Sequence, residues 1–178
     1  MWYSILLVAS MLTSQAEAVL PNMQPIVIPV QTGIHTSQDL AKNSDQIILA
    51  TPIEPLEREP QNQLIEGKRV VKFRQIFQVK QTIKGVPITQ IKIELIGLVP
   101  EPRIQDPLNE KYPGPLGSGD YFLFLKKGEA DHYNVIGSWK GIYPVFDGRT
   151  VTITGLGFPE LGRLTPQEMI KKIRQLLQ

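Results

Sequence analysis

The residues of this 178-residue chain that could do chemistry are few and scattered. His35 and His132 are its two histidines and it has no cysteine, so no imidazole or thiolate joins either at ligand spacing. Zinc and its neighbours need three or four such donors, and no metal site is expected. Lack of cysteine also excludes a thiol nucleophile, a disulfide framework and a lipid-modified cysteine. Ser118, in Gly117-Ser118-Gly119, lacks the strand-turn-helix setting of a nucleophile elbow, and Ser138 is near His132 only in sequence. Glu129/Asp131 and Asp106/Glu110 are pairs of carboxylates in polar loops, where nothing makes one an acid and the other a base. Gly155-Leu156-Gly157 runs into Phe158-Pro159 instead of a helix and cannot cradle phosphate. The chain reads as no enzyme, with no cofactor.

Two groups of residues suit binding. Lys72, Arg74, Lys80 and Lys92, with Lys68 and Arg69 beside them, share the polar side of two alternating runs, and such a basic face can track a polyanion, either nucleic acid or anionic glycan. Nucleic-acid binding also needs aromatic platforms, and Phe73 and Phe77 have the opposite parity to the cations, so nucleic acid is not the expected partner. The second group is aromatic: Trp139, Tyr143 and Tyr133, with Phe146 nearby, around Gly137 and Gly141. An exposed tryptophan among tyrosines suits contact with a protein or a cell-envelope component. Equally, Trp139 can plug the end of a barrel, and the sequence leaves both open.

The elements that position these residues are strands. Val71, Phe73, Phe77, Val79 and Ile83 share one parity, with Lys72, Arg74, Gln78, Lys80 and Thr82 on the other. After Lys84-Gly85-Val86-Pro87, Ile91, Ile93 and Leu95 alternate with Gln90, Lys92 and Glu94. Side chains of a strand alternate between faces, so this is a hairpin with one dry and one wet side. Gln46 to Thr51 reads as an earlier strand, with Pro52 to Gln63 a loop. Pro100 to Gly119 reads as a long structureless loop, which is functional or floppy. Tyr121 to Leu125 is apolar on both parities, as in a central strand covered on both sides. Tyr133–Ile136, Ile142–Phe146 and Val151–Thr154 give three short strands, with Asp147-Gly148 a hairpin turn. Thr165-Pro166-Gln167-Glu168 starts a helix whose stripe is Met169, Ile170, Ile173, Leu176 and Leu177.

Composition sets the bounds. Apolar residues make 42% and charged ones 20%, a globular balance, and a net charge of +2 argues for no anionic partner by itself. Ile5 to Leu12 is an apolar block followed by Ala16-Glu17-Ala18, the pattern of a signal peptide over residues 1–18, too short to span a bilayer. No lysine or arginine precedes the block. Export to the periplasm or medium follows, with no membrane span once the signal is removed. Residues 19–38, uncharged to Ser37 and carrying Pro21, Pro25 and Pro29, read as an extended or disordered linker, and 39–178 as the folded domain. Val27 to His35 resembles a translated bacterial intergenic repeat.

Phe77 to Gly85, Ile91-Lys92-Ile93, Gly119 to Leu125 and Gly141 to Val145 resemble the strands of small exported bacterial proteins with a barrel like the oligonucleotide/oligosaccharide-binding (OB) fold. The resemblance covers roughly residues 44 to 154 on strand patterning. It lies with the variant shared by netrin-like domains and tissue inhibitors of metalloproteinases. Those inhibitors chelate zinc through an N-terminal cysteine, which this chain lacks, so their mechanism does not carry over. The expected fold is mainly β, a single antiparallel OB-like barrel of five to seven strands with a C-terminal α-helix. The expected role is a non-catalytic exported interaction module, binding a protein or envelope component through the 100–119 loop and the Trp139 surface.

Overall fold

A computed structural model describes residues 33–129 and 131–178. The proposed signal peptide and residues 19–32 of the proposed linker lie outside them. Seven strands, β1 (Gln46–Ile65), β2 (Lys68–Lys84), β3 (Gln90–Val99), β4 (Asp120–Lys127), β5 (Tyr133–Val135), β6 (Ile142–Phe146) and β7 (Arg149–Thr150), combine with helices α1 (Ser37–Asn43), α2 (Leu108–Lys111) and α3 (Pro166–Leu176).

Five strands close a barrel in the ring order β1-β2-β3-β5-β4, with β4 returning to β1. Every pairing is antiparallel except β3–β5, which is parallel and only two residue pairs long, Ile93 with Tyr133 and Glu94 with Asn134. The expectation of a purely antiparallel barrel is thereby corrected. The reason is arithmetical: strand directions cannot alternate all the way round a ring with an odd number of members. Beyond the seam, β5 and β6 lie in succession along the same edge of β4, opposite β1, and β6 carries β7 away from the barrel.

The alternation from Val71 to Leu95 packs as expected. Val71, Phe73, Phe77, Ile91, Ile93 and Leu95 are buried in the barrel with Ile48, Leu123 and Leu125. Burying each such side chain contributes about 1.5–3 kcal/mol. Phe122 and Phe124 point the other way, into a second core with Ile47, Tyr143, Leu161, Met169 and Ile173. Strand β4 is thus covered on both faces, which is why both of its parities are greasy. Helix α3 roofs this second core, its start fixed by the reciprocal Thr165/Glu168 capping box.

Several boundaries differ from the sequence reading. Strand β1 does not stop at Thr51; it runs to Ile65, paired with β2 through bulges between Ile53 and Leu56 and between Pro60 and Leu64. From Gln46 to Ala50 it lies between β2 and β4, but beyond Ala50 it has β2 alone as neighbour. An edge strand tolerates the missing N–H of Pro52 and Pro60, which is why a proline-rich stretch is strand here. The last proposed strand, 151–154, is irregular. β7 ends at Thr150, whose hydroxyl donates to Leu161 O (2.6 Å) and whose N–H donates to Leu164 O (2.8 Å), drawing the chain towards α3. The domain also begins earlier than Asp39. Ile34 is buried in the second core, and α1 starts at Ser37 behind a Thr36/Asp39 capping box.

The Lys84-to-Pro87 turn is held by a buried glutamine. Gln46 accepts from Val86 N–H (3.0 Å) and donates to Val86 O (2.7 Å), as a neighbouring peptide would. Gly85 passes so close, at φ +95°, that a β-carbon there would overlap the Gln46 side chain.

Candidate functional site

The basic side of the hairpin is a lattice of ion pairs. Lys72 Nζ lies 3.3 Å from Glu94, Arg74 bridges Glu94 (3.1 Å) and Glu59 (2.5 Å), Lys80 meets Asp120 (2.6 Å), and Lys92 meets Glu57 (3.6 Å). All four cations of the proposed polyanion face therefore already have a carboxylate. Glu94 is the hub: it is buried, and His132 Nε2 approaches it at 3.8 Å as well. A buried carboxylate requires such partners, and placing Glu94 directly across from Arg74 supplies one. At Asp120, burial alone would raise the pKa, but hydrogen bonds from Lys80 and Thr51 and the Lys80 charge outweigh it and hold the carboxyl below its ordinary range.

The three aromatic residues do not form one surface. Tyr143 is fully buried in the second core, edge-on to Phe124, and its hydroxyl accepts from Phe158 N–H (3.2 Å). That burial drives its phenol pKa far upward, and no partner can reach it. Tyr143 is therefore withdrawn as a contact residue: it lies on the β6 parity opposite to Ile142, which faces the barrel. Tyr133 is half-buried at the parallel seam, packed on the barrel core. Trp139 sits in a single 3-10 turn, Ser138–Gly141, entered through left-handed Gly137. Its ring packs on the same core, and its Nε1–H donates to Asn109 O (2.6 Å).

That bond joins Trp139 to the 100–119 segment, which is neither structureless nor separate. Leu108 of α2 packs on Val70 and Leu98, covering the outer side of the β2–β3 end. Gly114 N–H donates to Ile96 O (3.0 Å), and buried Gln75 pairs with both backbone groups of Leu116, donating to its carbonyl (2.9 Å) and accepting from its N–H (2.8 Å). Gly97 permits the approach: a β-carbon there would meet Gly114 Cα at 2.8 Å. From this fastened base the segment projects Arg103-Ile104-Gln105, with Ile104 98% exposed. Asn109 Nδ2 donates to Arg103 O (2.6 Å) and steadies the tip.

Sequence reasoning named the loop and Trp139 but not the residues joining them. Gln75 carried a readable signal, an amide at an apolar-parity position. Ile104 carried one as well, an aliphatic residue amid prolines and charges. The Asn109 bond to Trp139 carried none, because it is made by a backbone carbonyl. The remaining chemistry-bearing side chains do not converge. Ser118 is exposed, the Ser138 hydroxyl is buried without a partner, and neither bonds to His132 among the described residues. No cluster of three His, Asp or Glu side chains suited to a metal is found among the described residues, nor a helix long and apolar enough to cross a membrane. No protein-family model matches the chain, and no curated protein matches it significantly.

Proposed function

We propose that this protein is a non-catalytic, exported interaction module that captures a protein or cell-envelope component with the tip of its 100–119 loop. One observation carries the reading: a side chain as apolar as Ile104 stands 98% exposed on a loop fastened to the barrel through Trp139–Asn109 and Gln75–Leu116. Solvent exposure of an isoleucine gains nothing for folding, while a pre-ordered loop reduces the entropy lost on binding. Trp139 acts here as a support behind the loop, and Tyr133 as part of the barrel wall. Export rests on the signal-like residues 1–18. The proposed OB-like character of the barrel fits the ring order, in which three antiparallel strands are followed by a crossed pair, but fold alone assigns no partner.

The test is affinity capture from a native envelope fraction with three proteins: wild type, Ile104→Asp, and Val86→Asp as a control on another exposed apolar residue. Ile104→Asp should keep the wild-type melting temperature and lose the captured component, while Val86→Asp retains it. Equal capture by all three would remove the loop tip as the binding surface.

A further inference from the structure

Away from that loop, an open groove of about 670 Å³ runs between α3 and the outer side of the β1–β2 pair. Leu49 and Ile170 form part of its floor, both half-buried and so still open to a ligand. Gln81 and Gln175 bring amides to its sides, and Lys171 and Arg174 bring charge. Ile170, Lys171, Arg174 and Gln175 share one side of α3 because they are spaced by one, three and one residues on a helix of 3.6 residues per turn. No acidic and no aromatic side chain lines the groove among the described residues.

The contrast with the hairpin decides the chemistry. Lys72, Arg74, Lys80 and Lys92 each have a carboxylate in place, whereas Lys171 and Arg174 are in no ion pair among the described residues. Glu168, the acid of α3, faces its own cap and is occupied by Thr165. The groove thus offers positive charge without compensation, over an aliphatic floor, with amides that can both donate and accept. We infer that it docks an acidic, extended peptide segment of a partner protein. Aliphatic side chains of the peptide rest on Leu49 and Ile170, its carboxylates meet Lys171 and Arg174, and its backbone bonds to the glutamine amides.

A sugar chain or a nucleic acid fits less well, since both are ordinarily gripped by aromatic rings stacked on the sugar or base face, and the groove has none. Size agrees with a peptide. From Gln167 to Gln175 the helix rises about 12 Å, the length of roughly four extended residues. In such a strand alternate side chains point to opposite sides, so alternating acid and aliphatic residues place one kind down and the other towards the rim. This surface is separate from the Ile104 tip, and its success or failure does not depend on that reading.

The experiment titrates the full chain into a fluorescein-labelled octapeptide alternating aspartate or glutamate with leucine, followed by anisotropy. An otherwise identical peptide with asparagine and glutamine in place of the acids, and a sulfated hexasaccharide, serve as comparisons. Saturable binding of the acidic peptide is expected, at least about tenfold weaker for the neutral peptide and for Lys171→Glu/Arg174→Glu, and weakening with salt. Both cations are exposed or rim positions, so the double variant should keep the wild-type circular dichroism and melting curve. Lys171→Gln/Arg174→Gln, which only removes charge, should lie between the two. No binding of the acidic peptide, equal binding to the double variant, or preferential binding of the hexasaccharide at these cations would each overturn the inference.

Discussion

Asp120 illustrates how single residues set the surface chemistry. It begins β4 and receives hydrogen bonds from Lys80 of β2 and Thr51 of β1, at the point where β1 parts from β4. Its carboxyl is more acidic in the folded chain than in the unfolded one. The unfolded chain therefore takes up the proton first as pH falls. The stabilisation is complete above the ordinary value of 3.8 and is lost as pH drops through the lower, folded value. Because both partners are substantially exposed, less than about 1 kcal/mol is at stake. Asp120→Asn should thus be slightly less stable than wild type near neutrality and indistinguishable at about pH 2 in urea titrations. A difference that persisted in acid would assign the effect to packing. The lysine–aspartate pair was not legible beforehand, since residues 40 positions apart meet only when the barrel closes.

At the scale of elements, two buried glutamines do what strands do elsewhere. Gln46 fastens the β2–β3 turn through Val86, and Gln75 fastens the 100–119 loop through Leu116, each by one donated and one accepted bond. Gln75→Leu keeps the apolar pattern of β2 and roughly the volume, but leaves the Leu116 N–H and C=O unpaired. It should cost about 1–3 kcal/mol in chemical denaturation and speed hydrogen exchange at Leu116. An unchanged unfolding free energy would mean that water replaces the amide. Element types were readable where a pattern was long: the β2–β3 hairpin, β4 and α3 all stand where periodicity and capping put them. Proline misled in β1, where an edge position removes the penalty it was read by. In the 100–119 segment, Leu108 finds its burial on Leu98 and, much farther off in sequence, on Val70, a cluster that no local window contains.

For the whole molecule, net charge and its arrangement are different quantities. The sequence carries +2, and carboxylates neutralise Lys72, Arg74, Lys80 and Lys92 on the β1–β2–β3 face, whereas Lys171 and Arg174 of α3 are among the cations left without such a partner among the described residues. With the clustered cations of the hairpin already paired, the chain should leave immobilised heparin by about 0.15 M salt, where the screening length is only about 8 Å. Retention beyond about 0.5 M would instead require the ion pairs of the hairpin to open towards the polyanion. The barrel also closes through a two-pair parallel seam, its shortest contact between neighbouring strands. Such a junction buries little backbone hydrogen bonding of its own and depends on the Phe73, Ile93 and Tyr133 packing behind it.

What the chain's order of residues determined alone is local: which stretches are strand or helix, which side of each is dry, and which reactive chemistries lack the atoms to occur. Those follow from side-chain direction and donor inventory, properties of neighbours along the backbone. Only the tertiary structure decided which cations are already neutralised, that Tyr143 faces inward, that Trp139 supports a loop, and that Lys171 and Arg174 border an open groove. Each of these depends on partners distant in sequence, brought within a few ångströms by closure of an odd-membered barrel and the docking of α3 upon it.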